Sequence, residues 1–274
     1  MPEGPELLYF AIIFNKKFKD AEIKDILSFT NKPVIFPKDF GTKITNVDSK
    51  GKVLFFEITG KTKYYVHIHY GITGWLTFVK PEKNIKFEFI INKSDIKGNK
   101  EYRMYMEDRR RFSKIKIYDE KEHNQILSKL GIDIFTEPFT LELFKNTLKS
   151  KKIMLSSLLL KQDIFAGIGN YIKNEAIYLT NLKAKVKTSE LTDEQIKDLY
   201  NNILFIAYSN LIEFLIVSKA EKYLFENRKY NKPIKLEIPY KFKVYGREGE
   251  EIDGKKIYKI KVAGRDTYCT KDLC

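Results

Sequence analysis

Lys52-Val-Leu-Phe-Phe-Glu-Ile-Thr59 is the stretch that decides the fold of the first half of the chain, and Tyr64-Tyr-Val-His-Ile-His69 follows it closely. Both stretches are rich in β-branched and aromatic residues, which favour strands. Similar runs at 75–79 and 87–91 alternate with turn signals between about residue 23 and residue 118. Several short strands at this spacing predict an all-β sandwich or barrel.

Helical apolar spacing lies on both sides of this β region. A first helix is predicted from Pro5 to Phe18, because proline and glutamate favour the first turn of a helix. Further on, apolar residues recur with the helical period at 139–148, 153–160, 171–179 and 193–216. Residues 219–239 are basic and irregular, and two strands are predicted after Pro239, at 240–245 and 256–262, around a glycine-rich turn.

The charge balance points to an anionic partner. The 274 residues include 50 Lys and Arg against 36 Asp and Glu, which gives a formal net charge of +14. Such a charge attracts polyanions, of which nucleic acid is the commonest inside cells, although a lysine-rich surface from an AT-rich genome accounts for it equally well. The apolar fraction of 43% and the charged fraction of 31% are typical of a soluble globular protein.

Neither membrane insertion nor secretion is expected. No uninterrupted apolar run reaches about 18 residues, and the acidic, proline-containing start does not resemble a secretory signal. Cys269 and Cys274 are the only cysteines, so no disulfide framework is expected and a reducing compartment is favoured. His67 and His69, at alternate strand positions, suggest metal ligands, but no cysteine or third histidine lies nearby in the sequence and no metal site is predicted.

The start of the chain could carry covalent chemistry. Removal of the initiator methionine is expected before a residue as small as Pro2, and it would expose a secondary amine. An α-amino group titrates about two to three units below lysine, so part of it is neutral near pH 7 and can attack a sugar C1′ to give an iminium. Glu3 could give or accept a proton, and Glu6 lies one helical turn further on. Taken alone, however, this hexapeptide is more typical of an ordinary helix start.

Three further motifs could contact a nucleic acid. Gly167-Ile-Gly-Asn170 precedes a predicted helix, whose N-terminal N–H groups can bind phosphate. Asp108-Arg-Arg-Arg-Phe112 combines guanidinium groups for a base edge with a ring for the base stack. Ser49-Lys-Gly-Lys52 is a basic turn between predicted strands. Each also has a simpler explanation, as a turn between helices, a solvated basic loop or a nonspecific turn.

In their order along the chain, these segments resemble the formamidopyrimidine-DNA glycosylase and endonuclease VIII family of base-excision repair enzymes. The resemblance covers the whole chain, and its strength comes from six motifs in register rather than from any one of them. The matching segments are Met1-Pro-Glu-Gly-Pro-Glu6, Gly51-Lys52, His69-Tyr-Gly-Ile-Thr-Gly74, Asp108-Arg-Arg-Arg-Phe112, Gly167-Ile-Gly-Asn-Tyr-Ile-Lys-Asn-Glu175 and Val262-Ala-Gly-Arg-Asp-Thr-Tyr268.

The resemblance implies an α+β multidomain fold. It would comprise an N-terminal β-sandwich with an N-terminal helix at 1–125, a helix–two-turn–helix domain at 137–218 and a finger β-hairpin at 239–274, with DNA in the cleft between the domains. Where the family pattern has the first cysteine pair of a zinc-binding finger, this chain has Glu251-Ile-Asp-Gly254. The two cysteines that remain cannot complete a tetrahedral site, so a zincless finger, held by packing, is predicted.

The resemblance also implies which residues are catalytic. Pro2 would be the nucleophile that forms a Schiff base, Glu3 the general acid or base, and Glu6 a supporting acid. Lys52 and the finger residue Arg265 would hold the phosphate beside the lesion. Successive β- and δ-elimination would then open the strand, and the reaction would need no metal or nucleotide cofactor.

Further residues would bind DNA without taking part in the chemistry. They are His69 and Asn170 at backbone phosphates, Ile72, Arg110 and Phe112 in the hole left by the everted nucleotide, and Arg111 as a further DNA-binding residue. The family often has methionine at the position of Ile72, and isoleucine is an apolar side chain of nearly the same size. An arginine also replaces the proline that is common at position 109.

The substrate and the partners follow from smaller details. Gly4 is closer to the endonuclease VIII branch, so oxidised pyrimidines and abasic sites in duplex or single-stranded DNA are the predicted substrates, with 8-oxoguanine or formamidopyrimidine as the alternative. Two other hypotheses are a catalytically silent protein that binds damaged DNA and a helix–two-turn–helix protein bound to RNA or ribosomes. A monomer without membrane partners is expected, in the nucleus or cytoplasm depending on the host.

Overall fold

The computed structural model describes residues 2–95, 98–136, 138–220 and 236–274. These residues divide into two compact units, Met1–Lys129 and Leu130–Cys274. Most of the segment predicted to be basic and irregular, together with Met1, lies outside the described residues.

The described residues of the first unit form two helices and eight strands. They are α1 (Gly4–Phe18), β1 (Glu22–Ser28), β2 (Lys43–Lys50), β3 (Val53–Thr59), β4 (Lys63–His69), β5 (Gly74–Thr77), β6 (Ile85–Asp95), β7 (Gly98–Asp108), β8 (Lys114–Asp119) and α2 (Glu120–Ser128). The strands form one antiparallel sheet in the order β5-β7-β6-β1-β2-β3-β4-β8.

This sheet folds into two layers, which confirms the predicted β-sandwich. The described pairing between β1 and β2 is the single pair Glu22 and Lys43, so the sheet is divided there into two four-stranded halves. Phe56 on β3 and Phe89 on β6 belong to different halves, yet their ring centroids are 6.3 Å apart. Phe14 of α1 packs on Phe56 at 6.1 Å, so the helix contributes to the same core.

Helix α1 runs antiparallel to β2. Buried residues, among them Leu7, Phe10 and Phe14, recur every three to four positions along the helix, as in an amphipathic helix. Near its C-terminal end, the Val47 N–H donates to the Asn15 side-chain oxygen at 3.1 Å. The Asp20 N–H donates to the Ile44 carbonyl at 2.8 Å. Because the two elements run in opposite directions, the N-terminus of α1 points toward the turn between β2 and β3.

The second unit is mainly helical and ends in a small sheet. Its elements are β9 (Ile132–Asp133), α3 (Leu141–Lys149), α4 (Leu155–Leu159), β10 (Phe165–Ala166), α5 (Asn170–Leu179), α6 (Asp193–Val217), β11 (Glu251–Ile252), β12 (Lys255–Val262) and β13 (Arg265–Thr270). The predicted helices at 139–148, 153–160, 171–179 and 193–216 correspond to α3, α4, α5 and α6.

Helix α6 is the core helix of this unit. Among the described residues it alone is long and apolar enough to cross a membrane, judged by length and composition. Half of its apolar window is buried inside the protein, and Leu199, Ile203 and Leu211 are fully buried. Such burial is typical of a helix that forms the centre of a folded domain.

The predicted strand at 240–245 was wrong. These residues have no strand pairing, because a side chain from α5 takes their backbone N–H groups. The Glu175 carboxylate accepts from the N–H groups of Lys243, Val244 and Tyr245 at 2.7, 2.9 and 2.7 Å. The hairpin is formed instead by β12 and β13 around the turn at 263–264, so only the second of the two predicted strands was right.

The two cysteines form a disulfide, which their small number had not led us to expect. Cys269 lies near the end of β13, and Cys274 is the last residue of the sequence. Their Cα atoms are 5.4 Å apart. The Cys274 N–H donates to the Thr270 carbonyl at 3.0 Å, which folds the end of the chain back onto the strand. This local turn brings the two sulfur atoms together.

Candidate functional site

The first two glutamates form a buried cap at the start of α1. The backbone N–H of Glu3 donates to Oε2 of Glu6 at 2.8 Å. Glu3 is 1% exposed and Glu6 is 8% exposed, and Pro2 is buried beside them. Burial of a carboxyl group costs free energy unless the group is hydrogen-bonded, so the bonds of this cap are needed for the buried glutamates to be stable. It fixes the position of Pro2 relative to the helix.

Lys52 lies at the tip of the turn between β2 and β3. The pairing of Lys50 with Val53 leaves only two residues in this turn, and Gly51 adopts a φ of +57° there. The Lys50 ammonium donates to the Leu127 carbonyl at 2.9 Å and so ties the base of the turn to α2. The turn therefore holds Lys52 at a fixed place at the end of the hairpin.

His69 lies within electrostatic reach of Lys52. Burial of the ring, followed by the charges of Lys114 and Lys52, lowers the pKa of His69. Its Nδ1 accepts a hydrogen bond from the Gly71 N–H at 3.1 Å, and this leaves the proton of the neutral ring on Nε2. A neutral His69 can therefore donate one hydrogen bond to a phosphate oxygen.

Two loops pack directly on each other beside His69. Gly71 has a φ of +64°, and a Cβ placed there would lie 2.7 Å from the carbonyl carbon of Phe112. The Asp108 carboxylate joins the loops, since it accepts from the Thr73 hydroxyl and from the Ser113 N–H, both at 2.6 Å. Burial would raise the pKa of Asp108, but these hydrogen bonds outweigh it, and the pKa is lowered.

The joined loops present an exposed apolar and cationic tip, which we call the wedge. It consists of Ile72, Arg110 and Phe112. Ile72 and Phe112 remain 38% and 48% exposed, and the Arg110 guanidinium lies 5.2 Å from the centroid of the Phe112 ring. An exposed ring and an exposed cation at the end of a fixed loop are suited to a gap in a base stack.

Arg111 and Lys86 support the wedge from behind. The Arg111 guanidinium donates to the Phe29 carbonyl, so this side chain is bonded to the protein's own backbone. The buried Lys86 ammonium donates to the carbonyls of Arg111 and Ser113. Sequence reasoning missed Lys86, which lies just before the predicted strand run at 87–91; the available signal was a lysine between the apolar residues Ile85 and Phe87.

Ring packing brings the wedge to the same end of the unit as Pro2. Phe10, in the N-terminal half of α1, stacks on Tyr70 at 5.4 Å and contacts Trp75 at 4.9 Å. Tyr70 directly precedes the wedge loop, and α1 points its N-terminus toward the Lys52 turn. Of the predicted residues of the first unit, Pro2, Glu3 and Glu6 therefore lie at the end of α1 that points toward the Lys52 turn. The others, His69, Ile72, Arg110, Arg111 and Phe112, lie in or beside the two joined loops.

In the second unit, Asn170 begins helix α5 after a tight turn. Gly167 has a φ of +101°, and its N–H donates to the Gln162 side-chain oxygen at 3.1 Å. The Gln162 amide in turn donates to the Ile168 carbonyl at 2.8 Å, so one side chain orders the whole turn. The buried Oδ1 atom of Asn170 accepts no hydrogen bond within the described residues. Asn170 is thus placed at a helix N-terminus that suits an anion.

The finger residue Arg265 is positioned by the residues that follow Asn170. Arg265 is exposed at the start of β13. The Lys173 ammonium donates to the Asp266 carbonyl at 3.2 Å and to the Thr267 hydroxyl at 3.1 Å. Asn174 donates to the Asp266 carbonyl at 3.3 Å and accepts from the Tyr268 N–H at 3.0 Å. Sequence reasoning had assigned a role only to Asn170, although a charged residue within an apolar helix was a signal for the others.

The finger is held without residues that fit zinc. Across 2–95, 98–136, 138–220 and 236–274 there is no group of three or more His, Cys, Asp or Glu side chains that could hold a metal ion. Both cysteines of the chain are bonded to each other. A small apolar cluster that includes Ala184, Val262 and Leu273 packs the hairpin against the helical part of the unit. The donor set does not match a tetrahedral zinc site.

His67 pairs with another histidine inside the first unit. Its Nε2 lies 2.8 Å from Nδ1 of His123, and Tyr65 stacks on the His123 ring at 3.6 Å. Burial, followed by the charge of His123, lowers the pKa of His67 to about 4. The pair is therefore neutral near pH 7 and forms part of the packing between β4 and α2.

Comparison with known proteins gives one consistent family. The model for the formamidopyrimidine-DNA glycosylase N-terminal domain matches residues 1–115, and the model for the H2TH domain of the same enzymes matches residues 130–211. Two curated proteins named formamidopyrimidine-DNA glycosylase, from Lactobacillus delbrueckii and Rickettsia conorii, are each 27% identical to this chain. The alignments cover 98% and 99% of this chain and 98% of each relative.

Solved structures show the same fold. The Lactococcus lactis formamidopyrimidine-DNA glycosylase bound to DNA with an abasic site has a TM-score of 0.72 at 20% identity, over 98% of this chain and 97% of that chain. The Lactococcus lactis enzyme with DNA that contains an oxidised pyrimidine has a TM-score of 0.70 at 21% identity, over 98% of each chain.

Proposed function

This chain belongs to the formamidopyrimidine-DNA glycosylase family, and from this premise we propose that it is a bifunctional DNA glycosylase and abasic-site lyase that works through Pro2. The family membership makes it a DNA glycosylase of base-excision repair. The lyase step, the Schiff base at Pro2 and the lesion preference are the parts that we propose.

The observation that carries the proposal is the buried cap formed by Glu3 and Glu6. A carboxyl group at 1% exposure directly after Pro2 would be an expensive way merely to begin a helix. As a proton donor or acceptor beside a nucleophilic amine, the same carboxyl group has a chemical use. The bond from the Glu3 N–H to Glu6 holds this group and the amine in a fixed relation.

The proposed reaction begins once Met1 has been removed. The lone pair of the neutral Pro2 nitrogen forms a bond to C1′ of the damaged nucleotide, and the bond from C1′ to the base breaks. Glu3 gives a proton to the departing base and then accepts the proton that the Pro2 amine loses. Glu3 passes this proton to O4′ as the C1′–O4′ bond breaks, and the nitrogen lone pair forms the C1′=N bond of the iminium.

Elimination follows from the iminium. A proton leaves C2′ and the C3′–O bond breaks, and then a proton leaves C4′ and the C5′–O bond breaks. Each step releases a phosphate, so a cation near the phosphate stabilises the leaving group. Lys52 at the hairpin tip, His69 as an Nε2–H donor, and Arg265 with Asn170 in the second unit are the groups that we assign to these phosphates. Water finally hydrolyses the iminium and restores Pro2.

The wedge has its own role in this scheme. Moving a nucleotide out of the duplex costs a few kcal/mol in lost stacking and pairing. Ile72, Arg110 and Phe112 would occupy the vacated space and offset part of that cost. The positive net charge of +14 would bring the protein to DNA without regard to sequence.

The proposed lesion class is oxidised pyrimidines together with abasic sites. Gly4 in the N-terminal hexapeptide is the feature that supports this choice. The curated relatives are named for formamidopyrimidine, and this favours purine-derived lesions as the second candidate. Duplex and single-stranded oligonucleotides that each carry one lesion would decide between the two: excision of a formamidopyrimidine alone would overturn the pyrimidine proposal.

Borohydride trapping tests the central chemistry. The protein is mixed with an oligonucleotide containing one abasic site and treated with borohydride, which reduces an iminium to a stable amine. A covalent adduct is expected with the natural chain, and peptide mapping should place the DNA on the Pro2 nitrogen. Pro2→Gly keeps a terminal amine but loses the secondary amine, so its adduct should form more slowly. Mass spectrometry of the natural protein should show Pro2 as the first residue. Absence of any adduct with a correctly processed protein would overturn the Schiff base at Pro2 and the lyase step.

A further inference from the structure

Lys86 is a buried lysine whose direction is set by an irregularity in its strand. The pairing of β6 with β7 shifts in register between Ile85 and Phe87, so Lys86 lies at a β-bulge. A bulge re-aims the side chain that it carries. Lys86 is 8% exposed, and its ammonium donates to the carbonyls of Arg111 and Ser113. Those two residues flank Phe112 of the wedge.

Lys86 also belongs to a closed ring of hydrogen bonds with Phe29 and Arg111. The Phe29 N–H donates to the Lys86 carbonyl at 2.9 Å. The Arg111 guanidinium donates to the Phe29 carbonyl, and the Lys86 ammonium donates to the Arg111 carbonyl. Each residue of the ring is therefore fixed by the other two. We call this arrangement the bracket.

The charges around the bracket explain how a buried ammonium is tolerated. Burial lowers the pKa of Lys86, the neighbouring Asp108 carboxylate opposes this change, and Arg111 and Lys114 add to it. Asp108 takes the N–H groups of Arg110 and Ser113 while Lys86 takes carbonyls of the same loop. The loop is thus fixed in two ways: the Asp108 carboxylate accepts from its N–H groups, and the Lys86 ammonium donates to its carbonyls.

The bonds from Asp108 and Lys86 hold a loop that contains a strained residue. Arg111 has a φ of +56°, a left-handed conformation that side-chain-bearing residues rarely adopt. Such a residue persists when the surrounding structure over-determines it, and these positions cluster where a precise geometry is used. The Lys86 bond to the Arg111 carbonyl acts on that strained residue itself.

We infer that Lys86 is a positioning residue that preorganises the wedge for insertion into the DNA stack. The inference rests on the proposed function, because the wedge matters only if a nucleotide is everted. Lys86 touches no reacting atom in this scheme, and Arg111 serves as an anchor of the bracket. The contribution of Lys86 should therefore be confined to substrates in which the base must be flipped.

The test compares two substrates and two variants. Lys86→Met removes the charge and both donors at nearly constant length, and Lys86→Arg restores donors for carbonyls. Excision is measured under single-turnover conditions on a duplex with a base-paired oxidised pyrimidine or formamidopyrimidine. Strand cleavage is measured on a single-stranded oligonucleotide with an abasic site, where nothing needs to be flipped. Fluorescence of 2-aminopurine opposite the lesion reports insertion of the wedge.

For Lys86→Met we expect excision from the duplex to fall about 10- to 100-fold, the scale of a small misplacement of a positioned group. Cleavage of the single-stranded abasic site should change less than about threefold, the fluorescence rise should be reduced, and Lys86→Arg should recover most of the excision. Equal losses on both substrates would show a general structural role, and unchanged duplex excision would show no role. Either result overturns the inference.

A failure of the proposed function looks different. In that case the natural chain itself would neither excise a base nor cleave an abasic site. Should Lys86→Met not fold, as judged by its melting transition, Lys86→Gln takes its place, because its amide keeps one donor. An intermediate loss on the duplex alone would support the inference, and a loss shared by both substrates would oppose it.

Discussion

The backbone N–H of Glu3 donates to the carboxylate of Glu6 at 2.8 Å, one turn further along the first helix. This bond joins the residue next to the proposed nucleophile to the body of the helix. Glu6 is therefore expected to act through the geometry of the chain start rather than by direct proton transfer.

Glu6→Ala should lower both stability and the rate of borohydride trapping. Loss of a helix-capping partner costs about 1 kcal/mol, and release of the first residues should slow adduct formation. Glu6→Gln keeps an acceptor oxygen and should retain most of both. The exposed Glu22 of β1 gives a matched control, since Glu22→Ala should change neither quantity. Full trapping by Glu6→Ala would refute the positioning role.

Glu3→Gln should separate the two activities of the enzyme. Excision of a damaged base should drop about 100- to 10,000-fold, the usual contribution of a general acid or base, while some cleavage of a preformed abasic site remains. Paired time courses on a base-containing and an abasic oligonucleotide measure the difference. Undiminished excision would assign Glu3 another role.

The buried histidine pair should make the first unit sensitive to acid. The pKa of His67 is lowered to about 4, from 6.5 in an unfolded chain, so the unfolded state binds more protons between these values. The contribution of His67 to the unfolding free energy should therefore be fully present above pH 6.5. It should be lost as the pH falls to 4, which lowers the unfolding free energy by about 3 kcal/mol. Chemical denaturation at a series of pH values measures this slope.

Two variants show whether His67 is the source of that slope. His67→Phe should flatten it in part, because His123 remains and its pKa is also lowered by burial. His69→Asn should also flatten it in part, because burial and the charges of Lys114 and Lys52 lower the pKa of His69. A slope that persists fully in His67→Phe would assign the acid sensitivity to other groups.

Glu175→Gln should weaken the attachment of the start of the finger, residues 240–245, to helix α5. The carboxylate accepts from the Tyr240 hydroxyl at 2.6 Å as well as from three backbone N–H groups, and an amide cannot accept all four. We expect a loss of about 2–3 kcal/mol in unfolding free energy, with a smaller loss of affinity for abasic DNA because Lys173 and Asn174 still hold the strand that carries Arg265.

Glu237 provides the comparison for that experiment. It pairs with the Lys243 ammonium at 3.1 Å in a partly exposed setting, so Glu237→Gln should cost less than about 1 kcal/mol. Equal effects of the two changes would mean that Glu175 does not anchor the finger. Melting curves and titrations with a fluorescent abasic oligonucleotide give both quantities.

Chelation should leave the enzyme active. The finger is held by hydrogen bonds from Lys173 and Asn174 and by apolar packing, so removal of metal ions should change neither excision nor DNA affinity. Metal analysis of the purified protein should show much less than one zinc per chain. Inactivation by a chelator that is reversed by added zinc would contradict the zincless finger.

Much of the fold could be predicted from local pattern. The alternating strand runs, the helix opened by Pro5 and the four later helices follow from the periods of apolar residues, and the structure confirms them. The sandwich, rather than a barrel, required the family resemblance. The segment 240–245 failed because its alternation is typical of a strand, whereas Glu175, distant in the sequence, removes the N–H groups that a strand would need.

The candidate site divides in the same way. Pro2, Lys52 and Arg265 lie in short motifs that can be matched one by one along the sequence. Lys86, Phe29 and Arg111 form the bracket only because a bulge in β6 and the loops that follow β1 and β7 bring them together, and no local spacing indicates that contact. The disulfide between Cys269 and Cys274 similarly depends on a turn that forms at the end of β13.

Lys173, Asn174 and Glu175 are consecutive on one helix, and all three bond the finger. Lys173 and Asn174 bond it at 266–268, and Glu175 bonds it at 240–245. A helix turns by about 100° per residue. A single residue inserted between Gly169 and Lys173 would therefore rotate all three side chains, relative to the start of the helix, away from the finger groups that they bond. The number of residues from the start of α5 to these three side chains is consequently fixed, whereas the turn at the tip of the hairpin can vary in length without loss of these hydrogen bonds.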